Sequence, residues 1–182
     1  MNTEIKTEMR AWVGCMGCYN NGSLNGSWVD ALEAGDISKA VNVKIGDPVI
    51  YGEDCPVCVK CGSDEFWVFD HEGMEGLIKG ECSPYEIQKA AEKLEEVSED
   101  QRDAFRAYIE IVGEEYADAS SFEEAYIGEF SNETELAEYF INEGIAGFEI
   151  PENLINYFDY EKYGRDLSYT LHNFNGYYFW DR

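Results

Sequence analysis

The chain has 182 residues, of which 45% are hydrophobic and 15% are aromatic. Acidic disordered tails are poor in aromatic residues, so this composition excludes such a tail and indicates a folded protein with apolar cores. The 38 Asp and Glu residues outnumber the 13 Lys and Arg residues, and the resulting net charge of −25 repels nucleic acid and anionic lipid but attracts basic partners.

Targeting signals and membrane segments are not recognisable in the sequence. It lacks an apolar run of the roughly 20 residues that a transmembrane helix needs. Residues 1–10 (MNTEIKTEMR) lack the apolar core of a secretory signal. We therefore expect a soluble, cytoplasmic protein that binds neither membrane nor nucleic acid, with cysteines that are reduced or bound to metal.

The first part of the chain is predicted to be rich in β-strands. Residues 10–15 alternate in polarity, Asn20, Asn21 and Gly22 give a turn signal, and residues 24–29 follow as a second strand. Residues 30–41 allow a short helix. Residues 66–69 (FWVF) form a further short strand, closed by Asp70 and Glu72. We expect an α/β domain over residues 1–82, with a cysteine-bearing insertion.

Cysteine spacing in this domain is the strongest signal for a metal site. The segment CPVC at residues 55–58, followed by Cys61 and a glycine, resembles a zinc knuckle, and the CMGC segment at residues 15–18 can complete a four-thiolate tetrahedral site with it. In that site Cys15 and Cys18 join Cys55 and Cys58, and Cys61 and Cys82 are alternative ligands. The spacing allows a structural zinc ion, although we expect the function to require no cofactor. The candidate ligands are Cys15, Cys18, Cys55, Cys58 and Cys61.

A redox role for Cys15 and Cys18 is the other interpretation of these thiols. A reactive C-x-x-C pair normally caps a helix that lowers the pKa of its thiolate. Residues 17–22 are instead predicted to form a turn between strands. The spacing therefore favours metal binding over thiol chemistry.

Helices are predicted from residue 83 onward. Residues 83–86 (SPYE) combine a capping box with a proline at the first helical position, and apolar residues then recur at helical spacing to Val97. Residues 98–101 (SEDQ) are a second capping box. Further helices are predicted to start at residues 121–124 (SFEE) and 132–135 (NETE), the latter ending by Gly144.

The last part of the chain is predicted to contain one more helix and a hairpin. The helix begins at Pro151 and buries Leu154, Ile155 and Phe158. The hairpin joins residues 169–172 to residues 177–180 through an Asn-Gly turn. We expect a helical domain over residues 83–119 and an acidic α+β domain over residues 120–182. The fold class is therefore α+β.

Acidic residues are concentrated in the second half of the chain. Residues 107–161 hold 15 acids and no Lys, Arg or His. Like charges one helical turn apart destabilise a helix, so a helical surface normally mixes the two signs. Excluding every base costs stability and indicates a function, although an acidic surface that serves solubility alone is the alternative. The candidate functional acids, named here the acidic set, are Asp103, Glu110, Glu114, Glu115, Asp118, Glu123, Glu124, Glu129, Glu133, Glu135, Glu138 and Glu143.

Catalytic motifs are not found. The sequence has no glycine-rich phosphate loop, no His-Glu-x-x-His and no nucleophile elbow. Its two histidines, His71 and His172, are most simply strand or turn residues. We expect that the protein is not an enzyme and has no catalytic residues.

Four segments of the sequence resemble the ArdA antirestriction family, in family order over nearly the whole chain. They are residues 12–14 (WVG), 19–29 (YNNGSLNGSWV), 122–126 (FEEAY) and, most specifically, 156–167 (NYFDYEKYGRDL). The cysteine-bearing segment at residues 52–62 departs from the family pattern, which puts the local fold of the first domain in question.

The resemblance implies an elongated, dimeric protein of three small domains, whose curved acidic face imitates bent B-form DNA. Such a protein occupies the DNA-binding groove of type I restriction-modification enzymes, at their methyltransferase core, and blocks them stoichiometrically. Genes of this family typically travel on conjugative plasmids and transposons, which are mobile genetic elements. Two alternatives remain: a zinc-binding or thiol-redox protein with an incidental acidic surface, and an acidic adaptor for another basic protein.

Residues 157–167 combine several aromatic side chains with two bases. Arg165 is expected either to pair with Asp159 or Asp166 in its own chain or to contact a second subunit. The resemblance favours a homodimer interface here, because isologous interfaces favour aromatic and arginine side chains. The alternative is a domain core with one salt bridge. The candidate interface residues are Tyr157, Tyr160, Tyr163, Arg165 and Asp166.

Overall fold

The computed structural model describes residues 9–52, 55–74 and 76–181. The chain divides into two compact units, unit 1 (Met1–Glu96) and unit 2 (Val97–Arg182). Both units contain helices together with antiparallel sheets, so the predicted α+β class is confirmed. The division into three domains and the elongated shape stay predictions.

Unit 1 is built on a three-stranded antiparallel sheet. Alternate side chains of its central strand point to one face, and Ala11, Val13 and Cys15 are accordingly buried there. The strands of unit 1 are β1 (Arg10–Cys15), β2 (Gly26–Asp30), β3 (Val43–Ile45), β4 (Pro56–Cys58) and β5 (Phe66–Glu72). The sheet order is β2-β1-β5, and β3 pairs separately with β4.

The helices of unit 1 are α1 (Met16–Asn20), α2 (Pro48–Tyr51) and α3 (Pro84–Glu95). The capping box predicted at the start of α3 is confirmed. The Ser83 hydroxyl accepts from the backbone N–H of Glu86 at 3.2 Å, and the Glu86 carboxylate accepts from the N–H of Ser83 at 2.7 Å. Helix α3 packs against the sheet, with Ile87 and Leu94 fully buried.

Three details of unit 1 differ from the prediction. Strand β2 begins at Gly26 and not at Leu24, which is 71% exposed. A side chain at Gly26 would lie 2.2 Å from the carbonyl oxygen of Val13. Two 3-10 turns, Ala31–Glu33 and Ile37–Lys39, replace the short helix expected over residues 30–41. Strand β5 continues to Glu72, because its last residues pair with the start of β1.

Unit 2 combines four helices with a second antiparallel sheet of order β6-β8-β7 among its described residues. The predicted C-terminal hairpin is confirmed, with its first strand two residues later than expected. Asn175 and Gly176 both have positive φ, 53° and 88°, as a type I′ turn requires. The elements are α4 (Arg102–Val112), α5 (Ala119–Ala125), β6 (Tyr126–Glu129), α6 (Glu133–Asn142), α7 (Tyr160–Ser168), β7 (Leu171–Phe174) and β8 (Tyr177–Trp180).

The core of unit 2 is aromatic. The ring of Phe122, which is fully buried, lies with its centroid 5.2 to 6.4 Å from those of Phe105, Tyr108, Tyr126 and Phe179. These contacts join α4 and α5 to the sheet. A second cluster packs α6 against β7 and β8.

Two helix starts in unit 2 differ from the predicted capping boxes. The Ser98 hydroxyl donates to the Gln101 side chain at 3.0 Å instead of capping the backbone, and a 3-10 turn, Glu99–Gln101, precedes α4. Helix α5 starts earlier than residue 121, because Asp118 is its N-cap and accepts from the N–H of Ser121 at 2.9 Å. The start predicted at residues 132–135 is confirmed, with Asn132 as the N-cap.

The prediction of a helix that begins at Pro151 is wrong. Residues 152–154 form a turn and Ile155–Tyr157 a 3-10 turn, and Leu154 and Ile155 are 48% and 44% exposed. Without burial of these side chains, nothing stabilises a longer helix. Helix α7 forms instead a few residues later, where Asp159 caps it by accepting from the N–H of Lys162.

Helix α7 lies close against α6 at a glycine. A Cβ added at Gly164 would lie 1.8 Å from the carbonyl oxygen of Glu133, so only glycine permits this approach.

None of the helices in the described ranges has the length and hydrophobicity that a membrane span requires.

Candidate functional site

The acidic set lies almost entirely on the surface of unit 2. Eleven of its twelve members are exposed, and Glu133 is half-buried. Unit 2 carries 20 acids and five bases in all, a net charge of −15. The structure therefore displays most of the acidic set to solvent.

Several of these acids stabilise the helices that carry them. Asp118 caps α5 through both carboxylate oxygens, which accept from the N–H and the hydroxyl of Ser121 at 2.9 and 2.7 Å. Glu133 and Glu135 lie in the first turn of α6. The N-terminal end of a helix carries partial positive charge, so carboxylates there are favourable. This placement offsets part of the repulsion in a segment that has no base.

Carboxylates also converge on two tyrosines of the second sheet. Burial raises the pKa of Tyr126, and Tyr177, Glu129 and Asp100 raise it further. Burial raises the pKa of Tyr177 as well, with Glu129 and Asp103 adding to it. Because Glu129 on β6 lies opposite Tyr177 on β8, the strand register brings these charges together. The fold thus concentrates negative potential at this edge of unit 2.

Two of these carboxylates, Asp100 and Asp103, lie just before and in the first turn of α4. Asp103, a member of the acidic set, pairs with Arg106, whose Nη1 lies 2.5 Å from its Oδ1. Asp100 is not in the acidic set, although it contributes to the same potential. Its sequence position suggested only a helix cap, and its proximity to Tyr126 depends on tertiary packing.

The residues expected at a dimer interface lie on and before α7. Tyr157 is 84% exposed, and Tyr160 and Tyr163 are half-buried. Arg165 and Asp166 are exposed on the helix. Within the described residues, Arg165 makes no ion pair with Asp159 or Asp166, so the intrachain pair is not formed. Asp159 is engaged instead as the cap of α7.

An exposed apolar patch adjoins this segment. Here the term apolar patch means Phe148, Leu154 and Tyr157, which are all exposed and line one surface pocket. Phe148 also contacts Tyr163, with ring centroids 5.6 Å apart, so the patch is continuous with the first turn of α7. The sequence pattern placed Leu154 and Ile155 inside a helix and did not reveal this surface.

Unit 1 contains the only other chemically distinctive group among the described residues, a cluster of four cysteines. The Sγ atoms of Cys15, Cys18, Cys58 and Cys61 all lie within 4.8 Å of one another. Cys55, which the sequence spacing paired with Cys58, lies outside the cluster. The reason is the turn after β4, in which the N–H of residue 62 bonds to the carbonyl of Cys58 at 2.7 Å and returns Cys61 toward Cys58. Cys82 also lies outside.

The cluster thiols are free and differ in acidity. Burial raises the pKa of Cys15 to about 12. Burial also raises that of Cys58, but hydrogen bonds from the N–H groups of Cys61 and Lys60 outweigh it and lower the pKa to about 7. Cys15 caps α1, so the turn predicted over residues 17–22 is wrong at its start. A redox role for Cys15 and Cys18 stays an untested alternative.

Comparison with known families places nearly the whole chain in one. The family model described as Antirestriction protein (ArdA) matches residues 11–179 of the 182. No curated protein matches the chain in a sequence comparison. The family match spans both the acidic set and the cysteine cluster.

Proposed function

This chain belongs to the ArdA family of antirestriction proteins, and we propose that it inhibits type I restriction-modification enzymes as a DNA mimic. It occupies the groove in which the methyltransferase core binds DNA. The observation that carries the proposal is the base-free segment of residues 107–161, whose acidic-set members are ordered and, except for Glu133, exposed. Inhibition is stoichiometric and needs neither catalysis nor a cofactor.

The amount of charge supports this mechanism. B-form DNA carries one charge per about 1.7 Å of axis, so 25 net charges correspond to roughly 43 Å of duplex per chain. A homodimer doubles that length. The protein therefore supplies the charge of a DNA segment long enough to fill an enzyme groove.

The spacing of the acids supports it as well. Side chains three or four positions apart on a helix lie about 5–6 Å from each other. Glu135 and Glu138 have this spacing on α6 and are both exposed. Lys and Arg residues that line a DNA groove can bind such a row, and counterions are released as they are from DNA.

We also propose that the protein acts as a homodimer through α7 and the apolar patch. Exposed apolar surface beside Tyr160 and Tyr163 supports a buried contact there. Within the described residues Arg165 makes no ion pair with Asp159 or Asp166, and we propose that it pairs with a carboxylate of the second subunit. We further propose that the protein is cytoplasmic, where its six free thiols stay reduced. Its gene is carried by a mobile element such as a conjugative transposon.

A DNA-competition assay with a purified type I methyltransferase core tests the function. We expect the protein and the DNA to exclude each other, and both affinities to fall steeply between about 50 and 200 mM salt. A ternary complex that retains DNA in the groove would overturn the proposal. An affinity that does not change with salt would indicate an apolar interface instead.

Charge variants in the two units test which unit carries the inhibitory activity. Neutralising four exposed acids that cap no helix by their side chains, Glu115, Glu123, Glu138 and Glu143, is expected to weaken inhibition cumulatively, with little effect from any one. The control neutralises four exposed acids of unit 1, Asp64, Glu65, Glu81 and Glu96. An equal loss in both sets would mean that unit 2 has no special role. Complete loss from one neutralised residue would indicate specific recognition and not mimicry.

A further inference from the structure

We propose that Cys15, Cys18, Cys58 and Cys61 bind one zinc ion in a closed, structural site within unit 1. The inference rests on the geometry of the cysteine cluster. It is independent of the proposed inhibition of restriction enzymes, because none of these residues belongs to the acidic set.

Two of the distances between the sulfur atoms are close to those around one tetrahedral metal ion, and all the other pairs lie within 4.8 Å. With Zn–S bonds of about 2.3 Å, the sulfurs of a tetrahedral site lie about 3.8 Å apart. The Sγ atoms of Cys15 and Cys61 are 3.4 Å apart, and those of Cys18 and Cys58 are 3.7 Å apart. A disulfide needs about 2.05 Å. An iron–sulfur cluster separates its thiolates further, because iron and sulfide lie between them.

The four ligands form two C-x-x-C pairs held by local hydrogen bonds. In the first pair, the backbone N–H of Cys18 lies 3.5 Å from the Sγ of Cys15. In the second, the N–H groups of Lys60 and Cys61 donate to the sulfur of Cys58. Donors of this kind orient thiolate ligands and stabilise their charge. The two halves of the site are thus built in the same way, although one follows β1 and the other follows β4.

Residues around the pairs permit their approach. A Cβ added at Gly17, inside the first pair, would lie 2.5 Å from the Cβ of Ser63 and 3.2 Å from the sulfur of Cys61. Gly62, directly after the second pair, has a φ of 74°. The side-chain amide of Asn25 donates to the Sγ of Cys58 at 3.1 Å. These are features of a built site and do not follow from sheet formation alone.

The site is structural because the protein fills all four positions of a tetrahedron. Catalytic zinc keeps one position for water or substrate. Cys15, Cys18 and Cys58 are buried in a core cluster that also includes Val41 and Phe66. The metal therefore joins the end of β1 to the β3–β4 insertion, which are about 40 residues apart in sequence.

Metal content of the full chain tests the proposal directly. Native mass spectrometry of protein purified with zinc in the medium is expected to show one zinc ion per chain. Replacement by Co²⁺ is expected to give the intense visible absorption of four-coordinate cobalt thiolate. Metal-free protein that takes up no zinc, or a chain that binds iron in preference to zinc, overturns the proposal.

A matched pair of variants tests the ligand set. Cys55 and Cys61 each lie three residues from Cys58, but only the sulfur of Cys61 is in the cluster. Cys61→Ser is expected to lower zinc affinity at least about tenfold, whereas Cys55→Ser leaves it unchanged. Equal effects of the two variants would refute the assignment. If Cys61→Ser does not fold, Asn25→Ala replaces it, with an expected loss of about 10–100-fold in affinity; unchanged affinity there also counts against the site.

Discussion

The cores of the two units differ in their side-chain composition. The largest fully buried side chains of unit 2 are Phe105, Phe122, Leu136 and Phe179. In unit 1 the corresponding side chains are aliphatic or contain sulfur, and three of them are cysteines of the cluster. Unit 2 also carries the larger negative charge, −15 on 86 residues against −10 on the 96 of unit 1.

The aromatic core explains how unit 2 can stay folded with so large a net charge. A buried aromatic side chain removes roughly 150–250 Å² from water, which is a large favourable contribution in a small unit. Unit 2 adds carboxylates placed as helix caps, so part of its charge supports the fold. Unit 1 buries smaller side chains over its sheet, and we propose that a metal ion supplies the missing stability.

Removal of zinc is expected to have the largest effect and to separate the two units. A structural zinc ion contributes on the order of 10 kcal/mol of apparent binding free energy. Treating the full chain with a strong chelator should abolish hydrogen-exchange protection in β1, β2 and β5 and leave that of β6 and β8 in place. If protection persists throughout unit 1, the contrast between the units does not depend on metal.

Truncation of the aromatic core is the next largest effect, and it should act on unit 2. Phe122→Ala removes a fully buried ring that contacts four others, with an expected cost of about 3–5 kcal/mol in the free energy of unfolding. Phe174→Ala is the matched control, because that ring is 37% exposed on β7. Urea unfolding followed by the fluorescence of Trp180, in a background in which Trp12, Trp28 and Trp67 are replaced by Phe, measures both. Similar costs for the two variants would mean that the Phe122 cluster is not the core of the unit.

The contact between α6 and α7 should respond to a single methyl group. Gly164→Ala forces the two helices apart at the carbonyl of Glu133, at an expected cost of about 1–3 kcal/mol. Lys162→Ala, on the exposed surface of α7, serves as the control and should change stability by less than about 0.5 kcal/mol. Thermal unfolding compares the two. A neutral Gly164→Ala would show that the helices are free to separate.

The smallest expected effect distinguishes a capping acid from a displayed one. Asp118→Ala should cost about 1 kcal/mol by removing the cap of α5. Asp118→Asn keeps an acceptor and should recover most of that stability, while Glu123→Ala in the same helix should have little effect. Chemical denaturation of the three variants provides the measurement. If Asp118→Asn is as damaging as the alanine, charge matters at this position and capping does not.

The sequence predicted those parts of the fold that depend on neighbouring residues. The capping box at Ser83, the cap at Asn132 and the Asn-Gly hairpin were all correct, because each is stabilised within a few residues. Helix α7 was missed because its packing depends on Gly164 meeting α6, a tertiary contact. The helix predicted at Pro151 failed for the opposite reason, since no neighbouring element buries its apolar side chains.

The same distinction between local and tertiary interactions applies to the candidate sites. Exposure of the acidic set could be predicted, because acids at helical spacing on the polar side of an amphipathic helix face water. The convergence of Asp100, Asp103 and Glu129 on two tyrosines could not, because it depends on strand register and packing. The correct partner of Cys58 is Cys61 and not Cys55, which only the turn after β4 determines.

The order of strands in unit 1 has a consequence for how quickly the chain folds. β1 pairs with β2 across a short connection but with β5 across about 50 residues, and Cys15 lies opposite Phe66 in that pairing. Closing a loop of about 40 residues costs roughly 3 kcal/mol of chain entropy before any contact repays it. If zinc binds as proposed, one ion held by both cysteine pairs closes that loop early and brings β5 to the edge of β1. Refolding of unit 1 should therefore be faster with zinc present than after chelation, and the inserted cysteine segment would then act as a folding nucleus as well as a structural clip.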